Sequence, residues 1–165
     1  MGIKPVFLLG VLLLLISAGC EDPLSAVPIG VAAPAFTLNH LNGKAVNFPE
    51  NYRGKVVAIR FWADWCPYCK NEMKTLEPVY RKYHDHGLLI VAINVMQPPM
   101  VVQNFIAEIG ISYDVLLDTQ GEIMRRYGVM GLPMTFIVDR QGVVRARIVG
   151  EATAKAFEKI VIGLL

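Results

Sequence analysis

The sequence lacks several features that would place a protein in one of the large functional classes. No cluster of lysine or arginine is interleaved with aromatic residues, and the formal net charge is only +2, so the sequence predicts no nucleic-acid partner. It has no internal repeat and no low-complexity tract, and its 165 residues suit a single domain. Hydrophobic residues make up 54% of the chain, which is enough for a substantial core.

No apolar run near the N-terminus is long enough to cross a bilayer, since a spanning helix needs about 20 residues. The run that is present covers only residues 6–16. It follows Lys4 and precedes the small residues 17–19 and then Cys20. A positive flank, a short apolar stretch and small residues are typical of an export signal. The sequence therefore predicts a signal peptide over residues 1–19.

Cys20 is predicted to carry a lipid. The segment before it resembles a bacterial lipobox, in which the cysteine is acylated and becomes the mature N-terminus, although Ser17 stands where leucine is usual. An ordinary cleaved signal peptide and an uncleaved anchor remain as alternatives. All three place the domain outside the cytoplasm, where disulfide exchange matters. Residues 20–28 then form a polar, proline-containing linker, and residues 29–165 form the folded domain.

Cys66 and Cys69 form the feature around which the rest of the sequence is organised. The short β-branched run at residues 56–59 predicts a buried strand before them. Apolar residues at three- and four-residue steps predict a helix after Cys66, with Pro67 in its first turn, where a missing N–H is tolerated. Unpaired N–H groups and the helix dipole stabilise a thiolate at that position. We therefore expect Cys66 to be a reactive nucleophile.

The spacing of the two cysteines lets them act together. Residues i and i+3 share a helix face, so Cys69 can close a disulfide with Cys66 and resolve a mixed disulfide formed with a partner. A structural zinc site is an alternative, but His84 and His86 are separated by one residue and do not have the usual ligand spacing. An inert structural disulfide also remains open, because the chain has the pattern of an exported protein.

The segment around the cysteines resembles that of a known family. The pattern Phe-Trp-Ala-x-Trp-Cys-Pro-x-Cys at residues 61–69 is similar to the active-site segment of thioredoxin-like proteins. From Val31 to the end, the chain resembles the exported, membrane-anchored thiol–disulfide oxidoreductases of the TlpA/ResA type. The resemblance implies an α/β, thioredoxin-like three-layer fold, in which helices flank a central mixed sheet. It also implies a central insertion, which corresponds to the predicted helix at residues 101–109 and the strand at residues 113–117.

Local patterns add detail to this expectation. Residues 35–38 and 45–48 predict an N-terminal hairpin, because the intervening Asn42-Gly43 accepts the positive φ angles of a tight turn. Residues 88–93 predict a second buried strand parallel to the first. Pro78 lies within the long helix and is predicted to kink it.

The resemblance also implies a substrate-binding set. In the thioredoxin superfamily a cis-proline that faces the two cysteines occupies the place of Pro133. A proline there leaves the backbone of Leu132 free to pair with an extended substrate segment, as in β-augmentation. Trp65 and Pro67, which flank Cys66 in the sequence, complete the predicted set.

Glu72 and Arg60 are the two charged residues of interest. The resemblance implies that Glu72 handles the proton of Cys69 as a general base; alternatively, it is an ordinary glutamate favoured by the helix dipole. Arg60 stands six residues before Cys66, where thioredoxins have a buried carboxylate. Arg60 either faces outward or pairs with Glu72, and pairing would keep Glu72 ionised and make it a poorer base.

The predicted function is thiol–disulfide exchange outside the cytoplasm, in the direction of reduction. The resemblance implies protein thiol and disulfide substrates, with apocytochrome c as the family's best-known setting, and a membrane-borne thiol reductant. We expect no cofactor and no metal. A copper-binding chaperone, a disulfide oxidant and an isomerase are alternatives, although no histidine follows His86 to supply a distant copper ligand. Peroxidase chemistry is disfavoured, because Ala63 stands where peroxiredoxins need threonine.

Overall fold

The computed structural model describes residues 25–165. The predicted signal peptide, the predicted lipid acceptor Cys20 and the first part of the predicted linker lie outside these residues. Within residues 25–165, no helix is long and apolar enough to cross a membrane.

The described residues form one mixed sheet with helices on both faces, which confirms the predicted fold class. The strands are β1 Phe36–His40, β2 Ala45–Phe48, β3 Val56–Trp62, β4 Leu88–Val95, β5 Asp114–Asp118, β6 Met134–Val138 and β7 Val144–Val149. The helices are α1 Cys69–Tyr83, α2 Pro99–Ile109, α3 Glu122–Arg126 and α4 Ala154–Ile162. The strand order is β2-β1-β5-β4-β3-β6-β7. β4 runs parallel to β3 and β5, whereas the other neighbouring strands are antiparallel.

β3 lies inside the sheet and is buried along its whole length. Its alternate side chains contribute to two separate cores, because successive residues of a strand point to opposite faces. Val57, Ile59 and Phe61 pack in the core that α3 and the N-terminal segment cover. The other face of β3, which includes Trp62, packs under α1, α2 and α4, and both cysteines belong to this second core.

Two local predictions differ from the structure. The N-terminal hairpin is present, but its strands are joined by residues 41–44 and only Gly43 adopts a positive φ, of 85°. The loop is longer than a two-residue turn, so Asn42 keeps an ordinary conformation.

α2 begins at Pro99, two residues earlier than predicted, because a proline fits the first helical position. α1 continues through Pro78, and the kink there remains a prediction.

The β6–β7 hairpin is fixed by the carboxylate of Asp139. This carboxylate accepts hydrogen bonds from the backbone N–H groups of Gln141 and Val143, each at 2.9 Å, and from Nε of Arg145. Burial alone would raise the pKa of Asp139, but the hydrogen bonds and the neighbouring guanidinium outweigh burial and hold the pKa below its usual range.

Substituting Asp139→Asn is therefore expected to lower the free energy of unfolding at pH 7 by about 1–2 kcal/mol, because the amide forms weaker hydrogen bonds and loses the Arg145 ion pair. A carboxyl with a lowered folded-state pKa contributes stability above its unfolded pKa of about 3.9 and loses it as the pH falls through the folded pKa. Urea unfolding from pH 7 down to about pH 2 should show the difference narrowing below about pH 4. Asp85→Asn, at an exposed position, is the control. A difference that stays constant with pH would contradict this explanation.

Candidate active site

The cysteine loop connects the end of β3 to the start of α1. The backbone N–H of Cys66 donates to the carbonyl of Ala63 at 3.3 Å, and the N–H of Cys69 donates to the carbonyl of Cys66 at 3.2 Å. The helix itself begins at Cys69, so the predicted placement of Pro67 in its first turn is wrong. Pro67 and Tyr68 form a separate tight turn, because the chain closes an i to i+3 hydrogen bond before the helical pattern begins.

Cys66 and Cys69 are joined by a disulfide in the structure, with their Cα atoms 5.4 Å apart. This separation is ordinary for a disulfide. Cys66 is 2% exposed and Cys69 is fully buried, so the small accessible area of the pair belongs to Cys66. Trp65 and Tyr68 beside them are 66% and 58% exposed, respectively. The two cysteines are therefore buried next to two exposed aromatic side chains.

A polar network holds the loop from the side of β4, and sequence reasoning did not find it. Oε1 of Gln97 accepts hydrogen bonds from the backbone N–H of Asp64 at 2.9 Å and from Nδ2 of Asn94 at 2.8 Å. Nε2 of Gln97 donates to the Asp64 carboxylate. These contacts fix the segment two residues before Cys66. An isolated glutamine more than 30 residues away in sequence gave no signal that could have identified it.

Pro133 lies at the same end of the sheet as the cysteine loop. The peptide bond between Leu132 and Pro133 is cis, as the resemblance implied. Phe61 pairs with Met134, so Pro133 comes opposite the last residue of β3, from which the loop departs. The carbonyl of Pro133 accepts a hydrogen bond from the N–H of Gly150 at 2.9 Å. Among residues 25–165, the backbone of Leu132 makes no such bond, and its pairing with an incoming strand remains a prediction.

Arg60 and Glu72 form a buried ion pair, so the hypothesis of an outward-facing Arg60 is wrong. Arg60 is fully buried and Glu72 is 1% exposed. Nη1 of Arg60 donates to Glu72 Oε1 at 2.9 Å, and Nη2 donates to Oε2. A buried arginine needs an anionic partner, because an unpaired buried charge is very costly. The general-base role of Glu72 remains a prediction, and the structure shows that its carboxylate is the anionic partner of Arg60.

Within the described part of the chain, no group of three or more histidine, cysteine, aspartate or glutamate residues could hold a metal ion. His84 and His86 are exposed at the far end of α1, away from Cys66 and Cys69. The described residues therefore offer the two sulfurs no third ligand of the kind that a copper chaperone uses.

The chain is similar to known proteins along most of its length. The AhpC/TSA family model matches residues 29–147. The thiol-disulfide oxidoreductase ResA of Geobacillus thermodenitrificans (strain NG80-2) is 36% identical over 129 residues, which are 78% of this chain and 74% of the relative. ResA of Bacillus subtilis (strain 168) is 35% identical over 124 residues, which are 75% of this chain and 69% of the relative.

Solved structures show the same fold. A thiol:disulfide interchange protein of the thioredoxin family from Chlorobium tepidum TLS superimposes with a TM-score of 0.75 at 29% sequence identity. The superposition covers 84% of this chain and 99% of that structure.

Proposed function

We propose that this protein reduces protein disulfides outside the cytoplasm while anchored to a membrane. The premise is that the chain belongs to the AhpC/TSA family and, within it, to the ResA-type thioredoxin-like thiol–disulfide oxidoreductases. The thiol–disulfide oxidoreductase activity comes with membership of that group. The direction of the reaction, the anchor and the substrate are the proposed part.

The observation that carries the proposal is the paired state of Cys66 and Cys69, at the end of the sheet where Pro133 also lies. In the reduced protein, the thiolate of Cys66 attacks one sulfur of a substrate disulfide, and the other substrate sulfur leaves as a thiolate and takes up a proton. Cys69 then attacks the sulfur of Cys66 and releases the second substrate thiol. The substrate gains two electrons and two protons, and the protein is left with the Cys66–Cys69 disulfide.

We propose that the substrate lies across the exposed rim of the site. Trp65 and Pro67 are exposed next to Cys66 in the chain, and the backbone of Leu132, which precedes Pro133, forms no backbone hydrogen bond within residues 25–165. A substrate held by backbone hydrogen bonds and apolar contact needs no particular sequence. This mode suits a protein that must reach cysteine pairs in unfolded partners such as apocytochrome c.

The anchor is proposed from the sequence, since Cys20 precedes the described residues. A lipid on Cys20 would hold the domain near the membrane through residues 21–28. Each cycle leaves the cysteines oxidised, so a thiol donor must return two electrons. A membrane-borne thiol reductant is the partner that such an anchor would place within reach.

Trapping in cells tests the proposal. Changing Cys69→Ala removes the resolving sulfur, so substrates are expected to remain on Cys66 as mixed disulfides that separate on reduction and can be identified by mass spectrometry. The Cys66→Ala/Cys69→Ala double variant is the control for non-covalent capture. A reductant should trap exported proteins with cysteine pairs and should have a strongly reducing potential. A potential near about −120 mV, typical of a strong oxidant, would contradict the proposed direction.

A further inference from the structure

The surroundings of Arg60 assign it a role that the sequence left open. Its side chain lies on the face of β3 that α1 covers, between Ala58 and Trp62. Nη1 and Nη2 each donate to a different oxygen of Glu72. A two-point contact between arginine and carboxylate fixes the relative orientation of the two side chains. The pair is therefore a rigid element directly behind the first turn of α1.

Further contacts hold the same pair from two other elements. Nη1 of Arg60 also donates to Oγ1 of Thr135 on β6 at 3.0 Å. Oε1 of Glu72 accepts a second hydrogen bond, from the N–H of Ala152 in the β7–α4 connection, at 3.0 Å. Both carboxylate oxygens are thus engaged by donors. A proton on Glu72 would have to break a charge-assisted hydrogen bond in a buried site, which makes this carboxylate a poor proton acceptor.

We propose that Arg60 is a positioning residue that keeps Glu72 as the anion of a fixed ion pair, so that Glu72 anchors α1 and does not accept the proton of Cys69. The inference rests on the dithiol chemistry of the proposed function and changes the role of Glu72 from general base to ion-pair partner. The proton of Cys69 then passes to the departing substrate thiolate when Cys69 attacks the mixed disulfide.

Other titratable groups near the Arg60–Glu72 pair form hydrogen bonds with other partners or are exposed. Burial raises the pKa of Tyr113, so its hydroxyl stays neutral, and it donates to a backbone carbonyl of α1 at 3.0 Å. The carboxylate of Glu77 binds the backbone N–H and hydroxyl of Ser112. Glu151, next to the loop that contacts Glu72, is exposed. At the start of α1, Lys70 pairs with Glu108, and the Asp64 carboxylate accepts a hydrogen bond from Gln97.

Alkylation of Cys66 by iodoacetamide tests the inference, because Glu72→Gln leaves the charge of Arg60 unbalanced only if Glu72 is its anionic partner. Glu72→Gln leaves a buried guanidinium unpaired, and a nearby positive charge favours the thiolate, so the rate at pH 6 should rise about threefold. The Arg60→Asn/Glu72→Gln double variant carries neither charge and should return to the wild-type rate. A rate that does not rise in Glu72→Gln, or a double variant that differs as much as the single one, would overturn the inference. The test uses purified protein without substrate or membrane, so failure of the anchored-reductase proposal would not alter it.

Discussion

Replacing Cys66 by alanine is expected to lower the rate of protein-disulfide reduction by at least about 10³-fold, because the remaining thiol, Cys69, is fully buried and cannot attack a substrate disulfide to form the first mixed disulfide. Replacing Cys69 is expected to have a different effect. Cys69→Ala should still form one mixed disulfide per molecule in a rapid first phase and then stop. The measurement is a stopped-flow assay with a disulfide substrate that releases a coloured thiol, followed over the first and later turnovers.

The structure provides the reason for this asymmetry. Cys66 has the small accessible area of the pair, whereas Cys69 is fully buried at the start of α1. A substrate disulfide can therefore approach Cys66 first. Asp64→Asn, which changes the loop without removing a sulfur, is a control for general disturbance of the site. A rapid first phase in Cys66→Ala, or its absence in Cys69→Ala, would reverse the assignment of the two sulfurs.

Gly128→Ala is expected to destabilise the fold by about 2–4 kcal/mol, the largest effect that we expect from adding a methyl group to a glycine of residues 25–165. Gly128 has a φ of 63°, which is unfavourable for other residues. An added Cβ would lie 2.4 Å from the carbonyl oxygen of Ser25 and 2.6 Å from Cα of Ala26. Backbone atoms cannot rotate away, so the N-terminal segment would have to move. Urea unfolding followed by circular dichroism measures the loss.

Gly142→Ala separates the steric effect from the backbone effect. Gly142 has a φ of 85°, but an added Cβ there would meet nothing within 4 Å. This control should lose only about 1 kcal/mol, the cost of the positive φ. Displacement of the segment in Gly128→Ala should also break the hydrogen bond from the N–H of Val27 to the carbonyl of Tyr127, which is 3.1 Å long. Equal losses in the two variants would show that the close approach of Ser25 carries no cost.

The parts of the fold and site that the sequence predicted depend on short-range patterns. The cysteine pair, the strand before it and the position of Pro133 could each be predicted from a pattern of a few neighbouring residues. Arg60 shows why the rest could not be predicted. β3 is buried on both faces, so its sequence has no polar alternation to say which side a residue faces. The choice between an outward and a paired Arg60 therefore needed the position of α1.

The first residue of α1 and the contacts that hold the cysteine loop also could not be predicted from the sequence. The apolar spacing located the helix, but the turn at Pro67 and Tyr68 depends on a backbone hydrogen bond that the apolar spacing does not report. Gln97 acts on Asp64 across 33 positions of chain, and only the parallel pairing of β3 with β4 brings them together. Contacts between distant segments are set by topology, which local propensity does not encode.

The two tryptophans of the chain occupy opposite environments within three residues of each other. Trp62 is fully buried with its ring centroid 4.8 Å from that of Phe105, whereas Trp65 is 66% exposed beside the disulfide. The intrinsic fluorescence should therefore have a blue-shifted component that is shielded from iodide and a red-shifted component that iodide quenches. The first reports folding of the core, and the second reports what binds over the sulfurs, so the chain carries its own optical probe for each event.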